Sequence, residues 1–209
     1  MTRPAGDAEK RLIEAGKEIL EETGFSALSV RAVAARAGVN LGLVSYHFGG
    51  KAAFVHRVAT ELYEEFFSDF SLQVEGEDDA LLALRKGLLR LAHFIRDRRR
   101  LIRSLLRDVA DGDVEATHFV QTNLPRHGMI LVGLVRRCQA EGRLMDLPVP
   151  VAMSTIMGVV AVPSLMAEPM ARAKFDFKGF PTRKQFEQSL LTDKALEQRV
   201  DLALKALKP

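Results

Sequence analysis

The chain is expected to be all-α. Three observations predict this. Leu, Ala, Glu, Arg and Val dominate the composition. Apolar residues recur at spacings of three and four along most of the sequence, as a helix face requires. No run alternates apolar and polar residues with a period of two, the mark of a half-buried strand. At 209 residues, 47% of them hydrophobic, there is enough chain for one large or two small packed domains.

The first helix is predicted to start at Asp7, a good N-cap, and to end at Thr23-Gly24. Leu12, Ala15, Ile19 and Leu20 form its apolar face, with Ile13 at the edge. Gly16 lies on that face and lets a neighbouring helix approach closely. Arg3 sits ahead of it in an arm of a kind that can reach a minor groove. A terminus that touches nothing fits the residues equally well.

Residues 28–51, LSVRAVAARAGVNLGLVSYHFGGK, read as two short helices joined at Gly38. Ser29 is placed as the N-cap of the first, with Leu28 and Val33 as a hydrophobic staple. Ala34 and Ala37 are small enough for close packing. Gly38 can take the left-handed conformation that ends a helix. Asn40 is placed as the next N-cap, with Val39 and Val44 as a second staple. Such a pair can lay its second helix in a DNA major groove. An ordinary helical corner has the same caps and staples, so spacing alone leaves both readings open.

A long helix is predicted from Lys51, where Phe54, Val58, Leu62, Phe66 and Phe70 form a stripe that reads as core. Asp78 and Asp79 open the next helix with charges suited to an N-terminus. Leu81, Leu84, Leu88, Leu91 and Ile95 line one face, widened by Leu82, Leu89 and His93. The run RDRRR at 96–100 reads as a solvated helix end or turn. The pattern stops at Asp111-Gly112 and resumes past Phe119. Pro125 is expected to break or kink that helix, which continues through Met129, Val132, Leu134 and Val135 to Gly142. One apolar helix is expected around residues 151–167. A Phe-rich connector, KFDFKGFPTRKQF, follows. The last helix is predicted to begin at Thr192-Asp193, with Leu196, Val200, Ala203, Leu204 and Leu207 on one face. No internal repeat is present.

Several function classes find no support. The apolar segment 147–167 is long enough for a membrane span, but Pro148, Pro150 and Pro163 interrupt it and Ser154 and Thr155 lie within it. A buried helix is expected instead. The N-terminus lacks the apolar stretch of a signal peptide, so a cytoplasmic location and no membrane are expected. Cys138, the single cysteine, excludes an internal disulfide and reads as a small buried hydrophobe, although Arg136 and Arg137 nearby could lower its pKa. His93, His118 and His127 lack metal spacing, so no metal and no cofactor are expected. No nucleophile elbow, phosphate loop or paired-carboxylate motif argues for an enzyme, and Gly38 and Gly42 do not follow a strand as a dinucleotide site would require. The net charge of +3 is compatible with nucleic acid but too small to argue for it alone.

The segment AGVNLGLVSYHFGGK resembles the helix-turn-helix signature of the TetR (tetracycline-repressor-like) family of bacterial regulators. Ala37, Gly38, Val39, Gly42, Val44, His47, Phe48 and Lys51 stand at the family's positions. Asn40 replaces the usual Ser, a change the capping role tolerates. Ser45 stands where the family usually has Tyr, and the neighbouring Tyr46 can take over part of its phosphate contact. The resemblance implies a three-helix DNA-binding domain over 1–50 and a helical effector-binding and dimerisation domain over 51–209. It implies a regulator, by the family's habit a repressor, that binds a palindromic operator as a homodimer and is released by a small molecule. A helical interaction or small-molecule-binding protein without specific DNA binding is the alternative.

On this reading Leu41, Gly42, Leu43, Ser45 and Tyr46 are the exposed positions of the second helix, and Asn40 caps it. That helix has no Arg or Lys before Lys51, so guanine readout falls to Arg31. Leu41 and Leu43 suit thymine methyls, and Gly42 allows close backbone approach. Tyr46, His47 and Lys51 would grip phosphates as their family counterparts do, with Ser29 adding a contact at a helix N-terminus. Val44 and Phe48 should face inward. For an effector, Phe66, Phe67, Phe94, Met129, Met153 and Met157 are apolar candidates, implying a small hydrophobic molecule; plain core is their bland alternative. For the dimer interface the candidates are Val151, Ile156, Val159 and Val160 with Leu196, Val200 and Leu204. Packing inside one subunit is theirs.

Overall fold

The computed structural model describes residues 5–173 and 182–209. The Arg3 arm and most of the Phe-rich connector lie outside the described residues. Among those described there are eleven helices and no strand. In chain order they are α1 (Ala5–Thr23), α2 (Val30–Ala37), α3 (Gly42–Phe48), α4 (Lys51–Val74), α5 (Ala80–Asp97), α6 (Arg99–Ala110), α7 (Val114–Ala140), α8 (Val149–Val160), α9 (Val162–Arg172), α10 (Arg183–Leu190) and α11 (Asp193–Ala206). The chain forms two units: Met1–Phe66 with Arg100–Leu124, and Phe67–Arg99 with Pro125–Pro209. Helices α4 and α7 each contribute residues to both.

In the first unit α2 and α3 pack on α1. Leu12 and Leu20 of α1, Leu28, Val33 of α2, Val44 of α3, and Phe54 and Val58 of α4 are almost wholly buried. Side chains of α4 press on α1 at Gly16: a Cβ there would lie 2.7 Å from Phe54 Cζ and 2.8 Å from Val58 Cγ2. The turn after α1 seats Phe25 against Phe119 of α7, with ring centroids 5.3 Å apart. Tyr63 of α4 donates its hydroxyl proton to the Asn123 carbonyl at 2.7 Å.

In the second unit α8 and α11 pack on each other, and α5 packs on α9 and α11. Leu84 and Leu88 of α5, Leu131 and Val135 of α7, Ile156 and Val160 of α8, and Leu196 and Val200 of α11 make the core. Gly87 lets α5 lie close to Phe70 and Val74, its would-be Cβ 3.2 and 3.1 Å from their side chains. Arg85 holds Asp201 with two hydrogen bonds, of 2.6 and 3.2 Å. The Met145 N–H donates to the Leu207 carbonyl at 2.7 Å, tying the chain before α8 to the end of α11.

Three expectations are corrected here. The single apolar helix over 151–167 is two helices, α8 and α9, bent by 43°. Pro163 sits in the first turn of α9 and has no N–H to continue the ladder from α8. Pro125, by contrast, does not end its helix: of the expected break or kink, the break is excluded, since α7 runs through it. The proline has no N–H to bond the Gln121 carbonyl. Lastly, Ile156, Val160, Leu196, Val200 and Leu204 are at most 5% exposed within a single chain. They form the seam inside the unit, so they are not available to a partner; Val151, 48% exposed, and half-buried Val159 are. No single helix among the described residues is long and apolar enough to cross a membrane.

Two stability predictions follow from the packing. Gly16→Ala should destabilise by about 1–3 kcal/mol through overpacking, despite the better helix propensity of Ala. Thermal unfolding checks this, and a raised Tm would show that the α1–α4 approach is looser than described. His127, 8% exposed against the edge of Phe70, has its pKa lowered to about 4 by burial, with the Arg126 charge adding to the effect. The folded value lies below the unfolded one, so the unfolded chain binds the proton more tightly. Stability should therefore fall as pH drops from about 6.5 towards 4, by on the order of 2–4 kcal/mol. Denaturant melts of the parent and His127→Leu should show this pH dependence only in the parent.

Candidate nucleic-acid interface

The interface is built by a turn that satisfies nearly all of its own backbone groups. Ser29 has extended backbone angles, and its hydroxyl oxygen accepts the Ala32 N–H at 3.4 Å, opening α2. Gly38 closes α2 in the left-handed conformation, φ 63°. Its N–H donates to the Ala35 carbonyl at 3.2 Å, and the Val39 N–H donates to the Ala34 carbonyl at 3.0 Å. This pair of bonds is a Schellman motif. The Ala37 carbonyl accepts from Arg11 of α1 at 2.9 Å. Arg11 thus caps α2 from across the unit.

Asn40, expected as the N-cap of α3, stands one residue before it: Leu41 is the N-cap and makes no side-chain cap bond. The Asn40 side-chain oxygen accepts the Gly42 N–H at 2.8 Å, and its carbonyl accepts the Leu43 N–H at 3.0 Å. A Cβ on Gly42 would stand 3.3 Å from that same side-chain oxygen, so a small residue suits this turn. Val44, 2% exposed, anchors the helix. The half-buried Phe48 meets Phe54 edge-on at 4.9 Å, so both residues expected to face inward do so. Gly49, φ 79°, ends α3, and α4 starts two residues later.

What remains outward is a short, uncharged ridge. Leu41 is 41% and Tyr46 78% exposed, and Gly42 and Ser45 are exposed between them. Leu43 departs from expectation: it is half-buried, one position before the Val44 anchor, so Leu41 is the aliphatic side chain that stands out. His47 departs too. Only 11% of its side chain is exposed, with Nδ1 3.9 Å from the Glu9 carboxylate and the Tyr46 ring edge-on at 5.0 Å. It backs Tyr46 rather than standing free.

In the sequence an exposed cation precedes the ridge and another follows it. Arg31 is exposed near the start of α2 and has no ion-pair partner among the described residues. Arg36, the other arginine of α2, is held by Glu22 at 2.9 and 3.2 Å, and that hydrogen bonding raises its pKa further. Arg31 is thus the guanidinium left available. Lys51 is exposed at the start of α4 and donates to the Ser26 carbonyl at 3.0 Å. Neither the Arg11 cap nor the Ser26 tether was legible in the sequence. Their partners lie 26 and 25 residues away, with no motif linking them.

The other candidate residues scatter. Phe66 is core in the first unit, 1% exposed. Phe67 is half-buried beneath the Arg126 guanidinium, 4.1 Å from the ring centre. Phe94, Met153 and Met157 are half-buried. Met129 is 63% exposed, because the buried face of α7 runs through His127, Leu131 and Val135 and leaves Met129 on the far side. It does not line an enclosed site. A surface cleft lined by Gly112, Val114, Glu115, Thr117, His118 and Gln121 includes none of the apolar effector candidates, only His118 of the histidines that could give an effector polar contacts. Among the described residues no group of three His, Cys, Asp or Glu could hold a metal. Cys138 is fully buried, and burial raises its pKa against the pull of Arg143 and Arg137. The expectation that nearby arginines could lower that pKa is corrected accordingly.

Comparison with known proteins agrees with this geometry. Residues 12–58 match the family model described as bacterial regulatory proteins, tetR family. A probable HTH-type transcriptional regulator, YttP of Bacillus subtilis (strain 168), is 23% identical over 163 residues, spanning 76% of this chain and 77% of that protein. Among solved structures, the fatty acid degradation regulator FadR from Bacillus halodurans superposes with a TM-score of 0.69 at 17% identity, covering 96% of this chain and all of that one. FadR from Bacillus subtilis, in complex with stearoyl-CoA, gives 0.68 at 16% identity, covering 95% and 99%. Residues 12–58 thus match a tetR-family DNA-binding region, and the chain shares its fold with these solved regulators over nearly its whole length.

Proposed function

We propose that the chain is a TetR-family transcriptional regulator, a cytoplasmic repressor and not an enzyme, that binds a palindromic operator as a homodimer and is released by a small hydrophobic effector. The observation that carries the reading is the uncharged ridge of Leu41, Gly42, Ser45 and Tyr46, flanked in the sequence by Arg31 and Lys51. A ridge without charge can approach base edges closely, while the flanking cations take guanine and phosphate. We assign direct readout to Arg31 and Leu41, and phosphate contacts to Tyr46, Lys51 and Ser29. His47 supports the Tyr46 ring. Residues 1–50 serve as the DNA-binding domain and 51–209 as the effector and dimerisation domain.

One such module makes few contacts, so a twofold dimer with half-sites about 34–36 Å apart is the expected solution. Residues 149–167 contain no charged side chain, and Val151, Ser154 and Gly158 are exposed on the outward face of α8. Val162, Met166 and Leu202 are also 43–58% exposed. We assign the dimer contact to this outward set in place of the buried seam. Large exposed apolar side chains of this kind are usual at interfaces. The effector reading rests on half-buried Phe67, Phe94, Met153 and Met157, and on the acyl-CoA held by one structural relative. The effector must favour one conformation over the other, since equal affinity for both shifts nothing. Helix α4, which starts at Lys51, is the element we expect it to move.

The test is selection of bound fragments from a random pool of double-stranded DNA at moderate salt. An enriched inverted repeat is the expected result. No enrichment over a salt-matched control would favour an interaction protein without specific DNA binding. On the enriched duplex, Arg31→Ala should relax preference at about one base pair, costing ~1–3 kcal/mol there. Lys51→Ala should weaken binding to all sequences alike and flatten the salt dependence by about one unit of slope. A changed sequence preference in the Lys51 variant would remove it from the phosphate contacts.

A further inference from the structure

We propose that Asp108 is a positioning residue for the Lys51 ammonium, acting through Ser26. This rests on the DNA-binding reading above. Asp108 lies in the last turn of α6 and is 3% exposed. One carboxylate oxygen accepts the Ser26 N–H at 3.2 Å, and the other accepts the Ser26 hydroxyl at 3.1 Å. The Ser26 carbonyl accepts from Lys51 Nζ at 3.0 Å. Ser26 is therefore gripped on its N–H, its hydroxyl and its carbonyl, by residues 82 and 25 positions away.

The surrounding turn has little freedom. Gly24 has φ 88°, and a Cβ there would fall 2.5 Å from the Ser104 hydroxyl oxygen of α6. Phe25 is 4% exposed against Phe119. A buried carboxylate needs its donors, since leaving it without them is costly. Ser26 supplies two and the Arg107 guanidinium two more, at 3.3 and 3.4 Å. The carboxylate thus holds Ser26 by its N–H and its side chain, and so restrains the residue whose carbonyl Lys51 uses.

A lysine ammonium has three donors. One given to Ser26 leaves two for a phosphate. The tether also restrains a long, flexible stem before DNA arrives, so less rotamer freedom is lost on binding. Asp108 itself stays buried, away from the phosphates it would repel. Asparagine at 108 would keep one acceptor and turn a donor toward a group that already donates.

A double-mutant cycle on the enriched duplex tests this. Asp108→Asn should lower affinity about 5-fold in the parent and less than about 2-fold when Lys51 is already Ala. An equal loss in both backgrounds means that Asp108 acts on folding alone, and the proposal is wrong. If Asp108→Asn does not fold, Ser26→Ala, which removes only the hydroxyl, takes its place, with an expected loss of about 2–3-fold that disappears in the Lys51→Ala background. A second readout needs no DNA: the acylation rate of Lys51 in the free protein, followed by mass spectrometry with exposed Lys10 as control. It should rise about 3-fold in the Asp108 or Ser26 variant, as the tether is released. An unchanged rate would overturn the coupling, whether or not the protein binds DNA. A raised rate in a protein that selects no duplex would instead leave the coupling standing and remove the DNA-binding reading.

Discussion

The DNA-facing geometry depends on how two very short helices are held on α1. At eight and seven residues, α2 and α3 are too short to persist alone. Their positions are set by buried anchors, Val33, Ala34 and Ala37 on one and Val44 on the other. The angle between them is set at Gly38, where the left-handed backbone and the Arg11 cap meet. Residues 41, 42, 45 and 46 are exposed because Val44 is not. Loosening this attachment would disorder the ridge before any contact to DNA was made.

Much of this first unit was legible because its signals are local. A cap, a staple and a glycine each act within a few residues, so Ser29 and Gly38 could be assigned from spacing; Asn40, expected as the next N-cap, lies one residue before the actual N-cap Leu41. What was not legible depends on partners distant in the chain. His47 occupies a family position, yet its exposure is decided by Glu9 and by Tyr46 beside it. Arg31 and Arg36 look alike in sequence, and only the placement of Glu22 leaves the first available.

The second unit was legible as pattern but not as pairing. The stripes on α8 and α11 were visible at helical spacing, and they do pack. Spacing cannot say whether the partner is the same chain or another. Here Ile156, Val160, Leu196 and Val200 meet within one chain, which shifts the candidate dimer surface to the other face of α8. The two internal prolines make a similar point. Pro163 divides a helix and Pro125 does not, although each lacks the same N–H. Helix α7 continues through its proline, with Ala116, Phe119, Leu131 and Val135 buried before and after it.

The central claim is that the face of α3 carrying Leu41, Gly42, Ser45 and Tyr46 is the surface that reads DNA. A crystal structure of the full chain with a bound duplex tests it most directly. The account predicts α3 in the major groove, with Leu41 and Gly42 against base edges and Tyr46 and Lys51 on phosphates. A duplex bound on another surface, with α3 left facing solvent, would contradict it.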